Sequence, residues 1–143
     1  MNLRESWQLF ALGSAFFAGL TALFGKLGVA AINSNLATFI RTVIILAMTA
    51  GILSMRGEWE KPSSITPNTW LFLFLSAIAT GFSWLCYYRA LQIGPVSKVA
   101  PIDKLSVVFA ILFGVVFIGE RLTWTATVGG LLIITGSVVM VLF

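Results

Sequence analysis

The residues able to do chemistry in this chain are few, and most sit where charge is expensive. Asp103 is the one acidic residue well inside an apolar run; Glu120 falls at a run boundary, and Glu5, Glu58 and Glu60 lie outside. A carboxylate in apolar surroundings can hold a proton or a cation, or pair with a base. Lys104 follows Asp103 directly, and residues one apart point to different sides of a helix. The pairing base is therefore expected on another helix, at Lys26, Arg41 or Arg89, either as part of a pathway or as an ion pair that fixes helix register. Pro101, two residues earlier, removes a backbone donor and frees a carbonyl, as happens where a helix lines a cavity, or simply kinks.

Lys26, Arg41, Arg89, Lys98 and Lys104 gather toward one end of the apolar runs. Together they would make an electropositive vestibule suited to an anionic or zwitterionic solute; singly, each could snorkel to lipid headgroups. Trp84 and Tyr88, four apart and beside Tyr87, share a helix face and could line a path by stacking or cation–π contact, or merely pack. In the last run Ala126 and Gly130, with Gly129 and Gly136, form a small-residue pattern of the kind that lets helices approach closely, so a dimer contact is expected there. Histidine is absent and Cys86 is the single cysteine, which leaves no familiar metal or thiolate site and no internal disulfide. No nucleophile–base set and no phosphate loop are visible, so neither an enzyme nor a cofactor is expected. The net charge is +4, but the bases stand one at a time between apolar runs, without the basic stripe of a nucleic-acid binder.

These residues are carried by elements of one kind. Of 143 residues, 59% are hydrophobic and only 10% charged, and the mean hydropathy is +1.01. A soluble domain carries roughly a quarter charged residues. In lipid only helices or a closed barrel satisfy the backbone, and the long unbroken runs, such as Val107 to Ile118, lack the alternation of a barrel. An all-α integral membrane bundle follows. A span needs about 20 mostly apolar residues, and Trp7–Ala31, Leu36–Met55, Trp70–Ile93 and Trp124–Phe143 meet this. A fifth span forms if the uncharged Ser106–Gly119 is extended back to Pro95, carrying Lys98, Asp103 and Lys104; the alternative is a re-entrant segment. The first run exceeds the length of a signal-peptide core and is read as a span. The connections are short, apart from a loop over Arg56–Asn68, so residues 1–143 are expected to form a single transmembrane domain.

In a five-span zigzag Trp7, Trp59, Trp70 and Trp124 fall at one membrane face, as an interfacial belt does; Trp84 alone lies deep. That face holds Arg4, Arg56, Lys61 and Arg121. The opposite loops hold only Lys98, but Lys26, Arg41, Arg89 and Lys104 lie toward that side within the spans. Counting them nearly cancels the charge bias, and a chain without bias can insert both ways up. A faint repeat, Ser14-Ala15, Gly19 and Leu23 against Ser76-Ala77, Gly81 and Leu85, recurs at a constant offset.

The C-terminal half, with Tyr88-Arg89-Ala90-Leu91-Gln92-Ile93-Gly94-Pro95, Lys98-Val99-Ala100-Pro101-Ile102-Asp103-Lys104-Leu105-Ser106, Gly119-Glu120-Arg121-Leu122-Thr123, Gly129-Gly130 and Gly136, resembles the EamA domain of the drug/metabolite transporter superfamily. Phe24-Gly25-Lys26 and Ala37-Thr38-x-x-Arg41-Thr42 extend the resemblance over nearly the whole chain. It implies a multi-pass membrane transporter of small solutes acting by alternating access, and the single-domain five-helix type in particular, where most members carry two such domains in inverted tandem. The related small multidrug resistance proteins carry a glutamate inside helix one; here the internal charge of that helix is Lys26. Five helices, each about 10 Å across, leave little room for a solute, and transporters often bind it between inverted repeats. An antiparallel homodimer in the inner membrane is thus expected. The residues also leave open a non-transporting subunit that scaffolds a partner, and a channel or flippase-like component.

Overall fold

A computed structural model describes residues 6–143; Arg4 and Glu5 of the charge count lie outside the described residues. The fold is all-α among them. The helices are α1 (Trp7–Gly28), α2 (Ser34–Arg56), α3 (Pro67–Ile93), α4 (Val96–Asp103), α5 (Ser106–Phe113) and α6 (Trp124–Leu142). The segment Val96–Ile118, which joins α4, α5 and a closing π-helical turn over Gly114–Ile118, has the length and apolarity of one span, so the described residues hold five spans. The expected segments agree with these bounds to within a few residues.

Local chemistry sets the helix ends. Asn33 caps α2 by accepting the Asn35 N–H at 2.8 Å, as N-cap asparagines do. At its far end Gly57 takes φ 65°, and the Glu58 N–H reaches the Leu53 carbonyl at 3.0 Å, a Schellman closure that favours glycine. Pro67 opens α3, where its missing donor costs nothing, and Trp59 folds back to donate to the Ser54 hydroxyl at 3.0 Å. Thr123 caps α6 through the Ala126 N–H at 3.2 Å.

The chain divides into two compact units: Gly25–Gln92, and Ile93–Phe143 together with the chain up to Phe24. In the first, Val29 and Leu91 are fully buried, and Ser34, Ala37, Thr38 and Tyr88 are nearly so. The hydroxyls of Thr38 and Thr42 return to the carbonyls of Ser34 and Thr38, at 2.9 and 2.8 Å, so each polar group is satisfied within its own helix. In the second unit α4 and α5 pack on α6. Large apolar side chains face outward in both units, among them Phe16, Phe39, Phe72 and Phe117. In water such a surface would aggregate; against lipid tails it costs little, because the tails are as apolar as the side chains.

The fifth span is not one smooth helix. At its middle the Leu105 N–H bonds to the Ile102 carbonyl and the Val107 N–H to that of Lys104, tight i→i−3 closures between α4 and α5. Pro101 cannot donate to the Ser97 carbonyl. Its own carbonyl accepts from the Ser137 hydroxyl at 2.9 Å, so a buried serine of α6 supports the break. At the end of the span Gly119 takes φ 76°, and the Glu120 N–H closes on the Gly114 carbonyl at 3.1 Å.

Candidate solute-contact site

The first unit contains a guanidinium inside a span. Arg41 stands seven residues into α2, about 10 Å along a helix about 34 Å long. Its Cζ lies 4.1 Å from the Trp84 ring centroid and 5.2 Å from that of Tyr88. Both rings come from α3, one turn apart, as their four-residue spacing requires. Stacking of this kind suits a flat, weakly hydrated guanidinium better than a lysine ammonium, and contributes about 2 kcal/mol when the pair is shielded from water. It satisfies no N–H. Arg41 Nη1 exposes less than 1 Å² and has no hydrogen-bond partner, an omission that costs about 1–3 kcal/mol.

The rings are held from the α1 side. Gly25 is buried, and a Cβ there would lie 3.2 Å from Leu91 Cδ1 and 3.3 Å from the Tyr88 hydroxyl. Glycine therefore permits the close approach that seats Tyr88. Next to it, Lys26 donates to the Leu91 carbonyl at 2.7 Å, in the last turn of α3, where cations complement the helix dipole. Gln92 is tied in the same way: its Nε2 donates to the carbonyls of Ile32 and Val29 at 2.9 and 3.2 Å, and its Oε1 accepts from Arg89 at 2.6 Å.

The second unit handles its charges locally. Lys98 donates to the Val141 carbonyl at 2.8 Å, in the last turn of α6. Lys104 Nζ lies 3.4 Å from Asp103 Oδ2, with both side chains part exposed. This corrects the expectation that Lys104 points away and that Asp103 draws its partner from another helix. That expectation assumed an unbroken helix, whereas the helix is broken between the two residues and Ser106. An exposed pair of this kind contributes about 1 kcal/mol or less.

Of the residues singled out from the sequence, the structure brings together Arg41, Trp84 and Tyr88; Lys26 and Arg89 belong to the same unit but bond to Leu91 and Gln92, and Asp103 and Lys104 pair in the other. The small residues of α6 separate. Ala126 and Gly130 line an apolar groove of about 230 Å³ with Val108, Ile111 and Leu112 of α5, Gly130 is buried, Gly129 is half-buried and Gly136 is exposed. Sequence reasoning passed over Gln92 and Ser137; a lone polar residue in an apolar run was the available signal for the second. It also gave no role to Glu120, whose carboxylate Oε2 would lie 2.9 Å from a Cβ at Gly114.

Five spans, the fifth of them broken, define a polytopic membrane protein, and one span holds a guanidinium. The chain matches the model of the EamA-like transporter family over residues 5–142, and it belongs to that family, within the drug/metabolite transporter superfamily. It is 52% identical over 141 residues to an uncharacterized transporter in the cobO 3′ region of a Sinorhizobium species, covering 99% of this chain and 100% of that one. It is 33% identical over 128 residues to human solute carrier family 35 member G1, covering 89% of this chain and 34% of that protein. The chain thus spans about a third of the length of the human relative. No solved structure matches it. The family and these relatives make the chain a membrane transporter.

Proposed function

We propose that the chain is one transport repeat, residues 1–143, that moves a small solute by alternating access as an antiparallel homodimer in the inner membrane, without enzymatic activity. The observation that carries this is Arg41: a charge kept inside a span, stacked on Trp84 and Tyr88, with Nη1 left without an acceptor. Ionisable groups are costly at that depth and mark solute pathways. An anionic or zwitterionic solute suits a site whose spans carry Lys26, Arg41 and Arg89 and no carboxylate. Two relatives support the dimer. One has the length of this chain; the other is long enough to hold more than one such domain. A second copy would supply the second half, with the solute near midmembrane between subunits. Asp103 at the helix break is the candidate gate.

Two measurements test this. Reporters active only inside or only outside the cell, fused after Phe143, should both give signal if the chain inserts both ways. Purified protein in vesicles should show saturable counterflow of at least one metabolite from a panel of small acids and amino acids, lost in Arg41→Ala. Reporter activity on one side alone excludes the antiparallel dimer; absence of counterflow by well-inserted protein excludes transport of that solute class.

A further inference from the structure

We infer that Arg41 is the oxyanion-recognition residue of this chain: a carboxylate or phosphate group takes the N–H edge of its guanidinium, while Trp84 and Tyr88 hold the guanidinium plane. Calling that group part of the solute rests on the transport reading above; the site itself does not.

The other in-span cations supply the contrast. Lys26 donates to the Leu91 carbonyl, Arg89 to Gln92 Oε1 and Lys98 to the Val141 carbonyl, while Lys104 faces Asp103. Each has an oxygen. Arg41 has aromatic faces instead, and among the described residues its Nη1 has no acceptor. Its own unit offers no counter-ion nearby. Neither α2 nor α3 contains an acid; the unit's two acids, Glu58 and Glu60, lie in the loop beyond Arg56, and Glu58 is paired with Arg56 at 3.4 Å. Arg56 is fifteen residues from Arg41, about 22 Å along the helix. An uncompensated charge in a low-dielectric site is costly, so the site favours an anion supplied from outside the unit.

The stack also limits the chemistry of that anion. With Trp84 over one guanidinium face and Tyr88 close by, a ligand must approach in the guanidinium plane, where the N–H donors form a fork matched to two oxygens of one carboxylate or phosphate. Arg41 as a whole is only half-buried, so its side chain is not sealed off from an oxygen that approaches within the plane the rings hold. A cationic solute meets the opposite situation. The ring faces that could have received it by cation–π contact are engaged by Arg41, and the positive charge repels it.

The test is binding, read apart from flux. Full-length protein in phosphatidylcholine vesicles is titrated with inorganic phosphate and with sodium succinate at fixed ionic strength, by calorimetry and by tryptophan fluorescence, with tetramethylammonium as the cationic control. Saturable binding of phosphate or succinate is expected. It should weaken about tenfold or more in Arg41→Lys, which keeps the charge but loses the planar fork, and vanish in Arg41→Ala. Trp84→Phe, which keeps an aromatic face, should weaken it only a few-fold. Equal anion binding by wild type and Arg41→Ala overturns the inference, as does saturable binding of tetramethylammonium alone. If binding of added phosphate disappears in phosphatidylglycerol vesicles but is present in phosphatidylcholine, the oxyanion site stands and a lipid headgroup is its ligand. Anion binding without any counterflow would sink the transport reading and keep the site; counterflow that survives Arg41→Ala would do the reverse.

Discussion

The two units solve the same physical problem differently. Both must keep ionisable side chains in a membrane. In Ile93–Phe143 each described in-span charge is answered within a few residues or by a helix-end carbonyl: Asp103 by Lys104, Lys98 by Val141. Its buried polar hydroxyl, Ser137, supports the break at Pro101. Here polarity serves backbone irregularity. In Gly25–Gln92 the helices are continuous and the hydroxyls of Thr38 and Thr42 are consumed internally, yet Arg41 holds an N–H with no acceptor. Lys26 and Gln92 serve backbone carbonyls there as well, but Arg41 Nη1 serves none, and what the fold does not use is available to a ligand. The difference teaches that an in-span charge indicates function most strongly when its local structure gives it no task.

The largest expected effect lies where the two units diverge most. Arg41→Ala should reduce counterflow by about two orders of magnitude, the loss expected when a charged, bidentate contact worth about 3 kcal/mol is removed. Membrane insertion should be unchanged, as read by protease protection of the Arg56–Asn68 loop. Asp103→Asn sharpens the comparison from the other unit. If Asp103 gates transport, the substitution stops flux while insertion remains intact. If it serves only its part-exposed contact with Lys104, flux stays at the wild-type level, since that contact contributes about 1 kcal/mol or less. Wild-type flux would remove Asp103 from the mechanism.

A smaller effect is expected at Gly25. Alanine there places a methyl group 3.2 Å from Leu91 Cδ1 and 3.3 Å from the Tyr88 hydroxyl, so Tyr88 must shift beneath Arg41. Overpacking of this kind costs about 1 kcal/mol or somewhat more, and solute or anion affinity should fall several-fold. Gly28→Ala is the control, because a Cβ at Gly28 meets nothing within 4 Å. Equal affinities for the two variants would mean that the seat of Tyr88 does not matter. Ser137→Ala removes the hydrogen bond to the Pro101 carbonyl. It should lower resistance to unfolding in detergent by about 0.6 kcal/mol, the average for interhelical hydrogen bonds in membranes, and leave anion binding unchanged.

How much of this was legible follows from what each residue depends on. The five spans depend on composition and length, which are local, and their bounds could be placed to within a few residues. Trp84 and Tyr88 could be assigned to one face because their spacing is a property of α3 alone. That Arg41 would be the cation to meet them was not legible, because that meeting depends on how α2 lies against α3, and no spacing within one helix gives it; Gly25, which seats Tyr88, lies on a third helix. The Asp103–Lys104 contact was misjudged for a similar reason. The rule for neighbours on a helix was applied across a break that Pro101 announces only in part, and the serine that supports it lies 36 residues further on.

The smallest effect on the single chain is expected at Gly136, and it is the most informative about assembly. The four small residues of α6 read as one dimerisation stripe in the sequence, but they do not share one environment. Gly130 is buried within its own unit and, with Ala126, lines the groove against α5, whereas Gly136 is exposed. A Cβ at Gly136 meets nothing within 4 Å, so Gly136→Leu should leave the folding of one chain within about 0.5 kcal/mol of wild type, as at other surface positions. Close helix approach between copies is another matter, because a leucine at a small-residue contact separates the backbones. If α6 forms the dimer contact through its exposed face, Gly136→Leu shifts the protein from dimer to monomer in cross-linking within vesicles, and Gly130→Leu does so only by first disturbing α5. If Gly136→Leu cross-links like wild type, the exposed face of α6 looks onto lipid, and the second copy must dock on another surface.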